Sequence, residues 1–257
     1  MHLFLSPHYD DAILGCGGTI HHLAARGEAV FVRTVFGQNP QQVPASPIAQ
    51  ELHLRWRAGE TPVAARIEED EAAAKVLGAV PQRMTVWADC IYRTDRQGQP
   101  LYSTEGELFS AVHPHDDAGR LIPTIVLPPR DNIDVLYAPL GVGHHVDHQI
   151  VRDWALELGK QNPVLALKFY EEYPYSETTS ALERARHFYD ELGMSLEAES
   201  VLLSEADVEA KIRAIALYRS QISTFWENSE TMGLAVRQYM RRVGSGSLVE
   251  RYWVARR

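Results

Sequence analysis

The sequence predicts a single three-layer α/β domain, residues 1–257, with helices on both faces of a mostly parallel sheet. Three observations predict it. Runs rich in apolar and β-branched residues alternate with helix-like stretches over most of the chain. The first such pair closes a strand–helix–strand unit. Two short polar clusters each fall just past the end of a strand, where open α/β sheets bind their ligands.

The elements follow in order. Residues 3–5 form a short apolar strand, and residues 13–25 a helix whose end is marked by Gly27. Residues 29–35 are a second strand, so the connection is a right-handed crossover between parallel strands. An Ala-rich helix is expected over 66–77, stopped by Gly78, then a third strand over 84–87. Residues 135–138 form a fourth strand that leads into the second polar cluster, continued by a helix over 148–158 and a fifth strand over 164–170. Ser204 caps a helix that has Asp207 at the capping-box position and runs to about Ser220, and residues 247–255 form a closing strand. Two stretches, 37–65 and 92–132, read as irregular, and connections of that length commonly wall or cover a site.

Charge narrows the partners. With 25 basic and 34 acidic residues the net charge is -9, which disfavours nucleic acid and anionic membranes. The C-terminal arginines, from Arg237 to Arg257, read as a solvated surface. Cys16 and Cys90 suggest neither a disulfide scaffold nor a zinc finger. There is no basic-then-apolar leader and no apolar run of about 18 residues, so a cytoplasmic setting is expected.

The two clusters carry the chemistry. In Ser6-Pro7-His8-Tyr9-Asp10-Asp11, His8 and Asp11 are three apart in a loop turning into a helix and can face one ion. In His144-His145-Val146-Asp147-His148, His148 would be the third ligand. Three protein ligands with an open position are what a catalytic zinc needs for hydrolysis. Asp10 is then left over as a general base. His145 would stabilise an oxyanion or protonate a leaving amine, with Asp147 holding that imidazole in one tautomer. Taken alone, the first cluster also reads as a helix cap and the second as a polar loop; their common placement at strand ends favours a site. Gly15-Cys16-Gly17-Gly18 comes too late after its strand, and has Ile20 where Gly or Ala is wanted, for dinucleotide binding. His21 and His22 read as an exposed helix face, Cys16 as a packing residue, and His113-Pro114-His115-Asp116-Asp117 as a solvated loop.

The chain resembles the zinc-dependent de-N-acetylases of the PIG-L/LmbE type. Their first motif, Pro-His-Pro-Asp-Asp-Glu, stands here as Pro7-His8-Tyr9-Asp10-Asp11-Ala12, followed by Leu14-Gly15-Cys16-Gly17-Gly18-Thr19. Their second, His-Pro-Asp-His, is His145-Val146-Asp147-His148. Fainter echoes are Arg66 with Glu69, Asp89, and Ser220-Gln221. The resemblance implies a Rossmann-like fold with the site at the carboxyl ends of the strands, and zinc, or another divalent ion such as Fe2+, on His8, Asp11 and His148. It further implies Asp10 as base assisted by His145 and Asp147, and removal of an N-acyl group, acetyl above all, from a small-molecule N-acetylglucosamine-type conjugate. Tyr9, Ala12 and Val146 depart from the motifs without removing a ligand or the base. The Ala12 and Val146 forms, with Leu52, Arg55, Trp56, Asp89, Tyr92 and Arg93, look like the subgroup that includes glycopeptide-antibiotic deacetylases. Arg66, Asp89, Tyr92 and Arg93 are the expected substrate contacts, and homo-oligomerisation is left open. Two alternatives are a zinc amidase acting on a larger acyl or thiol-conjugate amide, and a non-catalytic sugar- or nucleotide-binding module.

Overall fold

Leu3, Phe4 and Leu5 are wholly buried, as a central parallel strand covered on both faces should be. They lie in β1 (His2–Ser6), at the middle of the sheet in the computed structural model, which describes residues 1–40, 46–57, 59–127 and 132–256. The chain continues through α1 (Asp11–Ala25), β2 (Val30–Thr34), α2 (Pro47–Trp56), α3 (Pro62–Val76) and β3 (Val80–Arg83). A 3-10 turn (Cys90–Tyr92) and two short helices, α4 (Glu105–Leu108) and α5 (Asp117–Leu121), precede β4 (Val135–Pro139). Then come α6 (Val146–Gln161), β5 (Ala166–Tyr170), α7 (Thr179–Glu191), β6 (Ser195–Leu202), α8 (Glu205–Ile215), α9 (Arg219–Phe225), α10 (Ser229–Val243) and β7 (Val249–Arg256). The seven strands lie in the order β3-β2-β1-β4-β5-β7-β6. The first five are parallel, and β7 runs antiparallel to both β5 and β6.

Two apolar layers flank the sheet. One joins Phe4 to residues of α1, α3, α8 and α10; the other joins Leu3, Leu5 and Leu136 to α6 and α7 through Trp154 and Tyr189. A third, smaller cluster of Ile48, Trp56, Ile91, Tyr102 and Leu108 packs together the two stretches expected to be irregular.

Several expectations are corrected. The third strand is Val80–Arg83, four residues earlier than expected; Pro81 lacks a ladder donor, which only an edge strand such as β3 tolerates. The stretch 37–65 contains α2 and the start of α3, with proline in the first turn of each, where its missing N–H costs nothing. The helix beginning after Ser204 stops at Ile215 rather than near Ser220. Tyr218 interrupts it, buried and donating its hydroxyl to Asp70 at 2.7 Å. The sequence reading also passed over α7, α10 and β6.

The glycines of α1 serve packing. A Cβ on Gly15 would lie 2.9 Å from the Tyr170 ring, and one on Gly18 would lie 2.5 Å from Leu203. That close approach lets Glu250 of β7 accept from the N–H groups of Gly18 (2.9 Å) and Thr19 (2.7 Å) and pair with Lys211 of α8 at 2.7 Å. Both side chains are at least 95% buried. Lys211→Met should therefore cost about 3–5 kcal/mol in chemical denaturation, because it strands a buried carboxylate. A loss under 1 kcal/mol would show that the two backbone N–H groups suffice to hold Glu250.

Candidate metal centre and active-site cleft

The site is built at the carboxyl ends of β1 and β4, adjacent strands at which the sheet order reverses. Past β1 the chain turns into α1 with Ser6 as hinge: its hydroxyl donates to the His8 carbonyl (2.6 Å) and accepts from Ala12 N–H (3.0 Å). Asp10 stands at the N-cap of α1, yet its side chain makes no capping bond and so is left for the cleft. Past β4, His145 does cap α6: its Nδ1 accepts from the backbone N–H of Asp147 at 3.2 Å.

Two imidazoles meet at one carboxylate oxygen. Asp11 Oδ2 lies 3.2 Å from His8 Nδ1 and 3.3 Å from His148 Nε2. Each ring has a second carboxylate behind it. Asp147 Oδ2 is 2.9 Å from His8 Nε2, and Glu172 Oε1 is 3.2 Å from His148 Nδ1. Glu172 is fixed in turn by the N–H groups of Gly141 (2.8 Å) and Val142 (3.1 Å). The His145 ring centroid is 5.0 Å from that of His8 and 5.2 Å from that of His148, and ring nitrogens of all three histidines lie within 4.8 Å of one another. Asp89 caps the 3-10 turn through Ile91 N–H and approaches His8 Nε2 at 3.6 Å.

Burial opposes charge throughout this cluster, and the neighbours decide each case. Around His148 the carboxylates of Asp11 and Glu172 outweigh burial and push the imidazole up to about 9. Around His8, Asp89, Asp11 and Asp147 likewise outweigh burial and raise the imidazole well above its ordinary range. Asp11 is held well below the carboxylate range by His148 and His8 despite its burial. His145 is lowered by burial, then further by the charges of His8 and His148, so it is neutral. Burial pushes Asp10 up to about 6, against the pull of the Arg66 guanidinium.

This donor set fits a divalent cation. Two imidazole nitrogens and a carboxylate oxygen converge, each imidazole is oriented by an outer carboxylate, and five carboxylates gather there (Asp10, Asp11, Asp89, Asp147, Glu172), with Arg66 pairing Asp10 and Arg93 pairing Asp147. The cleft in front measures about 220 Å³ and is lined by Asp10, Arg66, Trp56, Asp89, Phe109 and Tyr175, among others. A larger hollow of about 750 Å³, around Trp87, Arg96, His115 and Arg120, lies away from the convergent histidines.

The expected site residues are thus gathered, with four corrections. The Asp147 carboxylate holds His8, not His145, because helix capping uses its backbone N–H toward His145 and turns its side chain the other way. Arg93 is committed to Asp116, Asp147 and the Ala88 carbonyl, and it is not among the residues that line the cleft in front of the histidines. The segment 113–117 is not simply solvated, since Asp116 is 3% exposed and caps α5. Tyr92 is also tied down, its hydroxyl 2.6 Å from His53 Nε2. Arg66 does line the cleft; it stacks over Trp56 at 4.6 Å, donates to Asp10 at 3.3 Å, and its Nε has no protein partner among the described residues. Glu172, His53 and Tyr175 escaped the sequence reading. Only Glu172 left a trace, as an acid just beyond a buried strand.

The class is thus an α/β protein with a buried His/Asp cluster, able to hold a metal ion, at its switch-point crevice. The chain belongs to the PIG-L family, described as GlcNAc-PI de-N-acetylase, which it matches over residues 3–158. It is 29% identical over 250 residues to a 2'-N-acetylparomamine deacetylase of Niallia circulans, covering 89% of this chain and 84% of that one. A protein of the same name from Streptomyces fradiae is 29% identical over 222 residues, 85% of this chain and 72% of the other. Among solved structures, the zinc-inhibited form of a teicoplanin deacetylase superposes with a TM-score of 0.80 at 24% identity, covering 100% and 98% of the two chains, so the fold is shared. Among the described residues no helix is long and apolar enough to cross a membrane.

Proposed function

We propose that this chain is a metal-dependent amidohydrolase that removes the N-acetyl group from an amino-sugar conjugate. The observation that carries this reading is the convergence of His8, Asp11 and His148, with Asp10 and His145 beside them on one cleft. Relatives named for deacetylating N-acetylparomamine, an acetylated amino sugar, support the substrate class. His8, Asp11 and His148 would hold the ion, zinc being the favoured one; when bound it supplies Lewis acidity that activates water and polarises the amide carbonyl.

The remaining steps belong to the protein. Asp10, poised near neutrality by burial, takes the proton from the attacking water. With Nδ1 of His145 accepting from a backbone N–H, its neutral ring carries the proton on Nε2 and donates it as a hydrogen bond to the carbonyl oxygen as negative charge develops there. Asp10 then returns its proton to the leaving nitrogen. Arg66 keeps the Asp10 carboxylate oriented.

Arg66 therefore gives a pH prediction. The guanidinium favours ionised Asp10, so Arg66→Met raises the pKa of the base and should move the acidic limb of kcat/KM to higher pH, with metal content unchanged. A limb that stays put would remove Asp10 as the group that sets it. The function itself is tested by offering acetylated aminoglycosides, glycopeptides and chitobiose, before and after chelation, and measuring acetate and free amine. Release of longer acids in preference to acetate would favour a larger-acyl amidase instead, a reading to which the apolar wall of Ile48, Leu52, Leu108 and Phe225 is suited.

A further inference from the structure

We propose that Arg93, anchored by Asp116, is a positioning residue that sets the ligand face of His8 through the Asp147 carboxylate; the inference rests on the metal-centre reading above. Four buried groups form one directional chain. Asp116 accepts from the Tyr102 hydroxyl (2.8 Å) and Ala118 N–H (3.0 Å), which fix it in place. Arg93 donates to Asp116 Oδ2 from Nε (3.1 Å) and Nη2 (2.8 Å), to the Ala88 carbonyl from Nη1 (3.1 Å), and to Asp147 Oδ1 from Nη2 (2.5 Å). Its guanidinium also lies 4.7 Å from the centroid of the Phe36 ring. The other oxygen of Asp147 accepts from Cys90 N–H (3.0 Å) and meets His8 Nε2 at 2.9 Å. Exposure along the chain is 3%, 8%, 0% and 9% for Asp116, Arg93, Asp147 and His8.

The chemistry of each link is directional. With its Nε2 proton given to Asp147, His8 turns Nδ1 toward Asp11, the side on which an ion would take the place of the second ring proton. Outer carboxylates of this kind hold both tautomer and ring plane. Asp147 can do this only while its own rotation is stopped, and the planar fork of Arg93 stops it by spanning two carboxylates and a carbonyl. A lysine ammonium, a point donor, cannot reproduce that span. The 113–117 segment is thereby part of the centre, although none of its side chains reaches the three converging donors.

Zinc affinity, measured by competition with a chromophoric chelator on the purified full chain, tests this without reference to turnover. Arg93→Met should weaken zinc about 10–100-fold, and Arg93→Lys and Asp116→Asn should weaken it less, in the same direction. Adding Arg93→Met to Asp147→Asn should cost little more than Asp147→Asn alone, because both interrupt one path. Should Arg93→Met fail to fold, Asp116→Asn and Arg93→Lys carry the same expectation. Folded variants of lower Tm with unchanged zinc affinity overturn the inference, leaving Arg93 a structural residue. A raised KM with unchanged zinc affinity also overturns it, returning Arg93 to substrate binding. A parent chain that binds no divalent ion overturns the metal reading, and this inference with it.

Discussion

Asp10→Asn is expected to retain near-normal metal content and to lose about 10²–10⁴-fold in turnover, the usual worth of a positioned acid–base group. The substitution keeps shape and hydrogen-bonding reach but removes the capacity to take a proton. Asp10 caps nothing, and its hydrogen-bond partner is Arg66 rather than any of the histidines, so its loss leaves the donors where they are. Its neighbour behaves differently. Asp11 Oδ2 touches His8 through both ring and backbone and His148 through Nε2, so Asp11→Asn should lose metal as well as activity. Metal analysis alongside acetate release on the same preparations decides the matter, and the reverse pattern would exchange the roles of the two aspartates.

The second large effect is expected at His148. It is 1% exposed, sits in the first turn of α6, and is held between Asp11 and Glu172. His148→Ala removes a donor for which the other residues offer no simple replacement. His145, the nearest alternative, already uses Nδ1 to cap the helix. Metal affinity should fall by more than the roughly 10–100-fold that losing an outer partner costs, and activity should fall with it. Full zinc occupancy in this variant would refute the ligand assignment.

What the sequence made legible depended on whether a role was local. His8, Asp10 and Asp11 lie within four residues, and His145 to His148 within four more, so each cluster shows as a motif. The βαβ start shows for the same reason, through contiguous apolar residues and Gly27. Glu172 and Asp116 act on partners 24 and 23 residues away, so neither role shows in the residues beside it. Arg93 was misjudged because its neighbours Asp89 and Tyr92 are near the cleft, while side-chain direction after a 3-10 turn is not written in spacing. The strand β6 escaped because an edge strand with a wet face carries many polar residues, as Ser195–Leu202 does. Helix α10 does carry a local signal, since Met232, Val236 and Met240 recur at the helical interval and are all buried.

The placement of the centre bears on how the molecule holds together. Strands β1 and β4 register through His2, Leu3 and Phe4 against Val135, Leu136 and Tyr137, and stop there. Beyond that ladder, His8 and Asp11 project from the first half of the chain while His148 and Glu172 project from the second. An ion seated among them would rivet the seam between chain segments that are some 140 residues apart in sequence. The unfolded chain has no such pocket, so affinity for the ion is also resistance to unzipping.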